Sequence, residues 1–189
     1  MNRKQRRANQ KQITATTPLA SGKGVPLTQM LQTAVAHHRA GREAEAEAIY
    51  LQILERQPRN ATALHFLSLI AKDRGQLDEA LALVAKALEA DPRYAEAHNS
   101  AGTYHKLKQD LDKAVASFRR AAELKRQYAE AHYNLGTVFG DQDKLDEAVE
   151  QYRIAIDIQP NYTQALNNLG IVLSKLLRLE EATDCFRRA

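Results

Sequence analysis

The chain lacks most features that mark secreted or membrane-spanning proteins. Its 189 residues include one cysteine, Cys185, which excludes a disulfide within the chain. There is no tryptophan, and no apolar run approaches the roughly 18 residues that a membrane-spanning helix needs. The N-terminal basic residues are followed by polar residues and not by the apolar segment of a secretion signal. We therefore expect a cytoplasmic protein without a membrane partner.

Charge is unevenly distributed along the sequence. Residues 1–26 contain six lysine or arginine residues and no acidic residue, which leaves 21 cations against 23 acids in residues 27–189. The first segment also combines threonine, glycine and two prolines without an apolar period, and this predicts a disordered basic tail. We expect the tail to be a solubilising arm. Nucleic-acid binding through it is disfavoured because it offers phosphate contacts alone, without aromatic residues or a folded groove.

A period of 34 residues fills the rest of the chain. When the sequence is written in rows of 34 from Leu27, column 24 holds a tyrosine, phenylalanine or valine in every row. Column 20 is alanine in every row, at Ala46, Ala80, Ala114, Ala148 and Ala182. A fixed period of this length indicates stacked copies of one supersecondary unit and not a domain built around a central pocket.

Two apolar triplets in each row predict two helices. Columns 4, 8 and 11 and columns 20, 24 and 27 are mostly small or apolar, and both sets have the i, i+4, i+7 spacing of one helical face. A short polar turn separates the triplets. Each row is therefore predicted to form two antiparallel helices of about 14 residues.

Two further columns bear on how these helices pack and end. Column 8 is glycine at Gly102, Gly136 and Gly170. Because glycine inside a helix costs about 1 kcal/mol relative to alanine, we expect close helix contact there, with the bulky column-24 residue opposite. Column 32 is proline except at Arg126. Since proline just past a helix end stops the helix, its absence predicts that a continuous helix can join the third and fourth rows.

These columns resemble the tetratricopeptide repeat, and residues 129–162 are close to its consensus. The resemblance covers Leu27 to Ala189. It implies an all-α fold, a right-handed α-solenoid of helix-turn-helix repeats. The repeats are four complete units and an incomplete fifth, at 27–60, 61–94, 95–128, 129–162 and 163–189.

The fifth repeat lacks the last turn of its second helix and has no polar capping helix after it. Because solenoids need such a cap for solubility, we expect the chain to be a fragment of a longer protein. The alternative is a genuine C-terminus whose exposed end is covered by self-association.

No catalytic constellation stands out among the polar residues. His98 and His132 share column 4, and equivalent columns of adjacent repeats are expected about 10 Å apart, too far for one metal with ligands at about 2 Å. We interpret both as half-buried packing residues. The acidic turn from Asp141 to Asp146 lacks the glycine and the bidentate glutamate of a calcium loop. The sequence thus predicts no enzymatic activity, cofactor, metal or small-molecule substrate for this chain.

In tetratricopeptide arrays the first helices of successive repeats line a concave groove, and the resemblance places columns 2, 5, 6, 9, 12 and 13 there. The candidate contacts for a peptide or protein ligand are His65, Lys72, Asn99, Thr103, Lys106, Tyr133, Asn134, Thr137, Asn167 and Asn168. Amides, hydroxyls and an aromatic ring suit hydrogen bonding to the backbone of an extended peptide. A merely solvated face would instead be expected to carry charged residues.

Two subfamilies differ at these columns. Binders of chaperone tails use a carboxylate clamp with lysine at column 5 and asparagine at column 9, and neither is present here. The repeats instead resemble those of protein O-linked N-acetylglucosamine transferases, which carry an asparagine ladder at column 6. Asn134 and Asn168 match that ladder, whereas Gln32, Phe66 and Ser100 do not. We therefore expect a non-catalytic protein-interaction scaffold. The alternative is the N-terminal substrate-recruiting arm of a larger transferase, either a glycosyltransferase or a sulfotransferase.

Overall fold

The structure, a computed structural model, describes residues 24–189. Within that range the chain forms ten helices and no strand, which confirms the all-α repeat array. The helices are α1 (Leu27–Arg39), α2 (Glu43–Arg56), α3 (Ala61–Asp73), α4 (Leu77–Ala90), α5 (Ala95–Leu107), α6 (Leu111–Leu124), α7 (Ala129–Asp141), α8 (Leu145–Ile158), α9 (Thr163–Lys175) and α10 (Leu179–Arg188). The prediction of a disordered tail falls mostly on residues 1–23, which lie outside the described residues.

Successive helices pack in pairs, and each pair packs against the next. α1 packs on α2 and α3 on α4, while the second helix of each pair also packs on the first helix of the following pair. The first helices of the later repeats touch one another as well, as α5 and α7 do. This contact places the first helices on the inner side of the array, where they form its concave face.

The core is an extended seam between the paired helices. The alanines of column 20 are all buried, and so are the column-24 side chains of the first four repeats. In the last helix Phe186, also at column 24, is 46% exposed. Stability therefore comes from contacts between neighbouring helices along the chain, as expected for a repeat architecture.

The predicted close contact at the column-8 glycines is confirmed. A Cβ atom built on Gly136 would lie 2.7 Å from the ring of Tyr152, and one built on Gly170 would lie 2.6 Å from the ring of Phe186. Gly102 meets its column-24 ring in the same way. In repeats 3 to 5 the aromatic ring thus occupies the space that a Cβ atom at this column would need.

The prediction that a continuous helix can join the third and fourth rows at Arg126 is wrong. α6 ends at Leu124 and α7 begins at Ala129. Lys125 has φ −133° and ψ 93°, close to the values of −138° and 95° at Asp91, which precedes a proline. The Lys125 ammonium lies 4.5 Å from the centre of the Tyr128 ring. Lys125 also forms an ion pair with Glu96 of α5 at 2.8 Å. These contacts of Lys125 replace the proline as the feature that ends the helix.

The turn within each helix pair contains one residue with left-handed backbone. The φ angle is 70° at Gly41 and 76° at Gly75, where glycine adopts it without steric cost. It is 63° at Gln109, 59° at Asp143 and 60° at Leu177. At these three positions a side chain clashes with the backbone, at a cost of roughly 1–2 kcal/mol each.

One polar bridge crosses each of the four joints between repeats on the side of the second helices. Each bridge joins the second helix of one repeat to the turn or second helix of the next. The pairs are Glu47–Arg74, Asp78–Lys108, Asp112–Gln142 and Arg153–Glu181. Three of the four are ion pairs, and their side chains are largely exposed.

Candidate functional site

In repeats 2, 3 and 4 a tyrosine at column 34 covers the groove side chain at column 5. In repeat 2 the Tyr94 hydroxyl lies 3.0 Å from His65 Nδ1, and Ser100 Oγ of the next repeat lies 2.9 Å from Nε2. His65 is only 5% exposed, and this burial lowers its pKa to about 4. The neutral ring thus joins two repeats, which leaves no ring nitrogen of this predicted contact for a ligand.

Asn99 is the centre of the corresponding network in repeat 3. Its Nδ2 donates to Glu130 Oε1 at 3.0 Å, and its Oδ1 accepts from Asn134 Nδ2 at 3.0 Å. The Tyr128 hydroxyl is hydrogen-bonded to the same amide. Asn99 is 5% exposed, so it mainly links repeats 3 and 4. Asn134 is half-buried, and its amide oxygen accepts from no described residue.

The threonine hydroxyls at column 9 bond to their own helices. Thr103 Oγ1 donates to the Asn99 carbonyl at 3.1 Å, and Thr137 Oγ1 donates to the Asn134 carbonyl at 2.7 Å. Each hydroxyl still has lone pairs that can accept from a ligand. These two predicted contacts are therefore available as acceptors and not as donors.

The two predicted lysines are both paired with acidic side chains. Lys72 pairs with the adjacent Asp73. Lys106 pairs with Asp141 at 3.2 Å, across the joint between repeats 3 and 4. The second pair lies within the concave groove.

Four of the ten predicted residues line one hollow of about 360 Å³ in the groove, formed by α5, α7 and α9. They are Lys106, Tyr133, Thr137 and Asn168, and the wall is completed by Gly140, Asp141, Tyr152, Ile171, Val172 and Lys175. Those outside it are His65, Lys72, Asn99, Thr103, Asn134 and Asn167. Asn167 is exposed.

Asn168 connects two tyrosines at the side of this hollow. Its Nδ2 donates to the Tyr133 hydroxyl at 3.4 Å, and its side chain is also hydrogen-bonded to the Tyr152 hydroxyl. The Tyr133 ring packs against Tyr162, the column-34 tyrosine of its repeat, with ring centres 5.1 Å apart. The polar groups of the hollow are therefore held in place by bonds between repeats.

Neither Gly140 nor Lys175 is among the residues predicted from the sequence, yet both shape the hollow. Column 12 carries Lys72 and Lys106 in repeats 2 and 3 but glycine in repeat 4. A Cβ atom at Gly140 would have no neighbour within 4 Å, so the missing side chain leaves the hollow open. The change from lysine to glycine at this column was the available sequence signal.

The groove surface of repeats 1 and 2 is aromatic instead. Phe66 stands at column 6, where the later repeats have Asn134 and Asn168. Its ring stacks on Tyr50 with centres 5.3 Å apart and planes 8° apart, and the His38 ring meets it edge-on at 5.3 Å. The Tyr50 hydroxyl is buried without a partner among the described residues, since a phenylalanine ring at column 6 cannot supply one.

The column-4 histidines are half-buried, as predicted. His98 Nε2 lies 3.0 Å from the Pro92 carbonyl, and His132 Nδ1 lies 2.9 Å from Gln151 Oε1. Within residues 24–189, no three histidine, cysteine or acidic side chains are grouped so that they could hold a metal ion. Across the same range, no helix has the length and apolar character needed to cross a membrane.

Five helix pairs repeating every 34 residues, with first helices along a concave groove, define a helical repeat scaffold. The chain belongs to the tetratricopeptide repeat family. Models of the tetratricopeptide repeat match residues 30–52, 60–90 and 129–162, and a further model described as TPR repeat matches residues 105–143.

Solved structures share this fold over most of the chain. A crystal structure of MamA is 26% identical, covers 82% of this chain and 91% of its own, and superposes with a TM-score of 0.72. YrrB is described as a TPR protein with an unusual peptide-binding site. Its crystal structure is 23% identical, covers 84% of this chain and 82% of its own, and gives a TM-score of 0.67. At that identity the likeness to YrrB shows the fold alone. No curated protein sequence matches the chain.

Proposed function

We propose that the array is a non-catalytic scaffold that binds an extended peptide or protein segment along its concave groove. The observation that carries the proposal is the hollow formed by α5, α7 and α9, where half-buried polar side chains face open space. YrrB, which has the same architecture, is described as having a peptide-binding site, and this supports a similar use of the groove here.

The spacing of the groove amides suits an extended backbone. Asn134 and Asn168 stand at the same column of adjacent repeats, and packed helices lie about 8–10 Å apart. An extended chain advances about 3.3 Å per residue, so residues about three apart in a bound segment would meet the two amides in turn. Such contacts with backbone groups discriminate little between ligand sequences.

The network beneath the groove lowers the cost of binding. Asn134 is fixed by its bond to Asn99, and Asn168 by its bonds to Tyr133 and Tyr152. Side chains that are already ordered lose little conformational freedom when a ligand arrives. The same hydrogen bonds thus hold neighbouring repeats together and fix the side chains that would contact a ligand.

The proposed partner is a protein or a peptide, bound in the cytoplasm. A role as the recruiting arm of a larger transferase stays a prediction from the sequence, and it rests on the two column-6 asparagines, Asn134 and Asn168. It would use the same groove for substrate proteins. Self-association through the last repeat likewise stays a prediction.

The test uses peptides selected from a random display library on the full chain. A groove variant combines Asn134→Ala, Asn168→Ala and Tyr133→Phe, which keeps the packed ring of Tyr133. We expect roughly tenfold weaker binding of the selected peptides, measured by fluorescence anisotropy, because several groove contacts are removed together.

A matched control changes three exposed residues of α4 away from the groove, Glu79→Ala, Lys86→Ala and Glu89→Ala. Circular dichroism and thermal unfolding establish that both variants are folded. The control is expected to bind as the unchanged chain does. Failure to select any peptide, or equal binding by the groove variant and the control, would contradict the proposed function.

A further inference from the structure

The hollow between α5, α7 and α9 carries a net positive charge. Its lining contains two lysines, Lys106 and Lys175, and one carboxylate, that of Asp141. Lys106 and Asp141 are paired at 3.2 Å. Lys175 has no ion-pair partner among the described residues. One ammonium group at the rim is therefore available to an anionic group of a ligand.

A neutral donor and open space accompany this lysine. The Tyr133 hydroxyl accepts from Asn168 at 3.4 Å, so its own hydrogen is directed elsewhere and can be donated to a ligand oxygen. Gly140 leaves the floor of the hollow empty. The resulting hollow has a volume of about 360 Å³ and is open to solvent, so a ligand side chain can enter it.

We infer that this hollow binds the side-chain carboxylate of an aspartate or glutamate in the segment that the groove holds. The inference rests on the proposed function and adds the chemistry of one ligand residue. Lys175 supplies the charge and Tyr133 the neutral donor, and hydrogen bonds to an ionised acceptor are the stronger kind. The cations stand at columns 12 and 13, unlike the column-5 lysine of a carboxylate clamp.

The position of the hollow favours a side chain over the terminal carboxylate of a peptide. Its lining comes from three successive first helices, with Lys106 on α5, Tyr133 on α7 and Asn168 on α9. A segment that crosses all three helices passes the hollow midway along its length. The residue at that point presents its side chain, while the terminus lies farther on.

Three random peptide pools, all acetylated at the N-terminus, test the inference on the full chain. Two have an amidated C-terminus and differ only in a central glutamate or glutamine, and the third has the central glutamine with a free C-terminal carboxylate. Anisotropy titrations are expected to show roughly fivefold tighter binding of the glutamate pool than of either glutamine pool.

Three variants locate the effect in the structure. Lys175→Gln is expected to remove most of the preference for glutamate, whereas Lys86→Gln, the same change on the exposed face of α4, keeps it. Gly140→Leu fills the hollow and is expected to weaken binding of the glutamate pool. It should not lower the thermal stability, because the space around the Cβ position is open and leucine is a better helix former than glycine.

The outcomes separate this inference from the proposed function. Equal binding of all pools, or a preference for glutamate that survives both Lys175→Gln and Gly140→Leu, would overturn the carboxylate site and leave peptide binding intact. A gain limited to the pool with the free C-terminus would overturn the assignment to a side chain. Binding of no pool would overturn the proposed function and this inference with it.

Discussion

The first two repeats and the last three form the same helix hairpin with glycine in different places. Repeats 1 and 2 have glycine in the left-handed turn, at Gly41 and Gly75, and Ala34 and Ser68 at the helix contact. Repeats 3 to 5 have glycine at the helix contact and longer side chains in the turn. The later repeats therefore carry both local costs, an interior helix glycine and a strained turn. The free energy gained by packing the column-24 ring must exceed these two costs.

The two regions also differ where the groove meets the core. In repeat 4 the Tyr152 hydroxyl bonds to Asn168 of the next repeat. In repeat 1 the equivalent Tyr50 lies under Phe66 and has no described partner. The same core tyrosine thus belongs to a polar network in one region and to an aromatic stack in the other. Each difference can be tested with a pair of matched substitutions.

The largest expected difference concerns pH, because the column-5 group is a titrating ring in repeat 2 and an amide in repeat 3. Burial lowers the pKa of His65 to about 4, with Glu96 opposing the shift and His38 adding to it. An unfolded histidine titrates near about 6.5. As the pH falls from about 6.5 to about 4, the unfolded chain gains a proton that the folded chain resists. The free energy of unfolding should then fall by up to about 3 kcal/mol.

Urea unfolding across this pH range measures the effect. His65→Gln should lose this part of the pH dependence, and His98→Gln, at a half-buried histidine, should retain it. The expectation fails if the unfolding curves of the His65→Gln variant follow pH as steeply as those of the unchanged chain.

The second comparison uses two glycines of one helix, Gly136 and Gly140. A Cβ at Gly136 would lie 2.7 Å from the Tyr152 ring, whereas one at Gly140 meets nothing within 4 Å. Gly136→Ala should lower the free energy of unfolding by about 2 kcal/mol through overpacking. Gly140→Ala should raise it by up to about 1 kcal/mol through helix propensity. Two changes of the same sign in urea unfolding would refute the assigned role of the ring contact.

The smallest expected effect has opposite signs in the two regions. Tyr50→Phe removes a buried hydroxyl without a described partner and should stabilise the chain by about 1 kcal/mol. Tyr152→Phe breaks the bond with Asn168 and should destabilise it by about the same amount. Thermal unfolding of both variants measures the difference.

A double substitution sharpens this last expectation. Asparagine at column 6, introduced as Phe66→Asn, gives Tyr50 the partner that Asn168 gives Tyr152. In that background Tyr50→Phe should no longer stabilise the chain. A benefit of unchanged size would show that the missing partner is not the cause.

Much of the fold could be read from the sequence because its determinants are local and repeated. Helix pairs follow from the apolar spacing within each row, and the contact at Gly136 follows from glycine facing a large residue at a fixed offset. The prediction of a continuous helix at Arg126 was wrong because the end of that helix is not determined by a local, repeated signal. The end of α6 depends on packing around Lys125 and Tyr128, which a rule about proline does not include.

The groove was only partly predictable. Column positions identified Tyr133 and Asn168, which line the hollow, since they depend only on which helix face is inward. They could not show that His65 and Asn99 are buried, because the tyrosines that cover them come from the far end of the repeat. The recurrence of tyrosine at column 34 was nevertheless a visible signal that the column-5 side chains are covered. Lys175 occurs at its column only once, and no period marks it.

On the side of the second helices, exposed ion pairs hold three of the four joints between repeats. Along the groove, neutral hydrogen bonds link repeats 2 to 5, and the Lys106–Asp141 ion pair adds to them between repeats 3 and 4. Dissolved salt screens the exposed ion pairs far more than the half-buried amide and hydroxyl contacts. Rising ionic strength should therefore loosen the second-helix edge of the three ion-paired joints, so that the array bends further towards its groove at those joints. The joint between repeats 3 and 4 has no ion pair on the side of the second helices but has one on its groove side, so it should not bend towards the groove with the other three. The salt concentration of the solution then sets the angle between neighbouring repeats, separately at each joint.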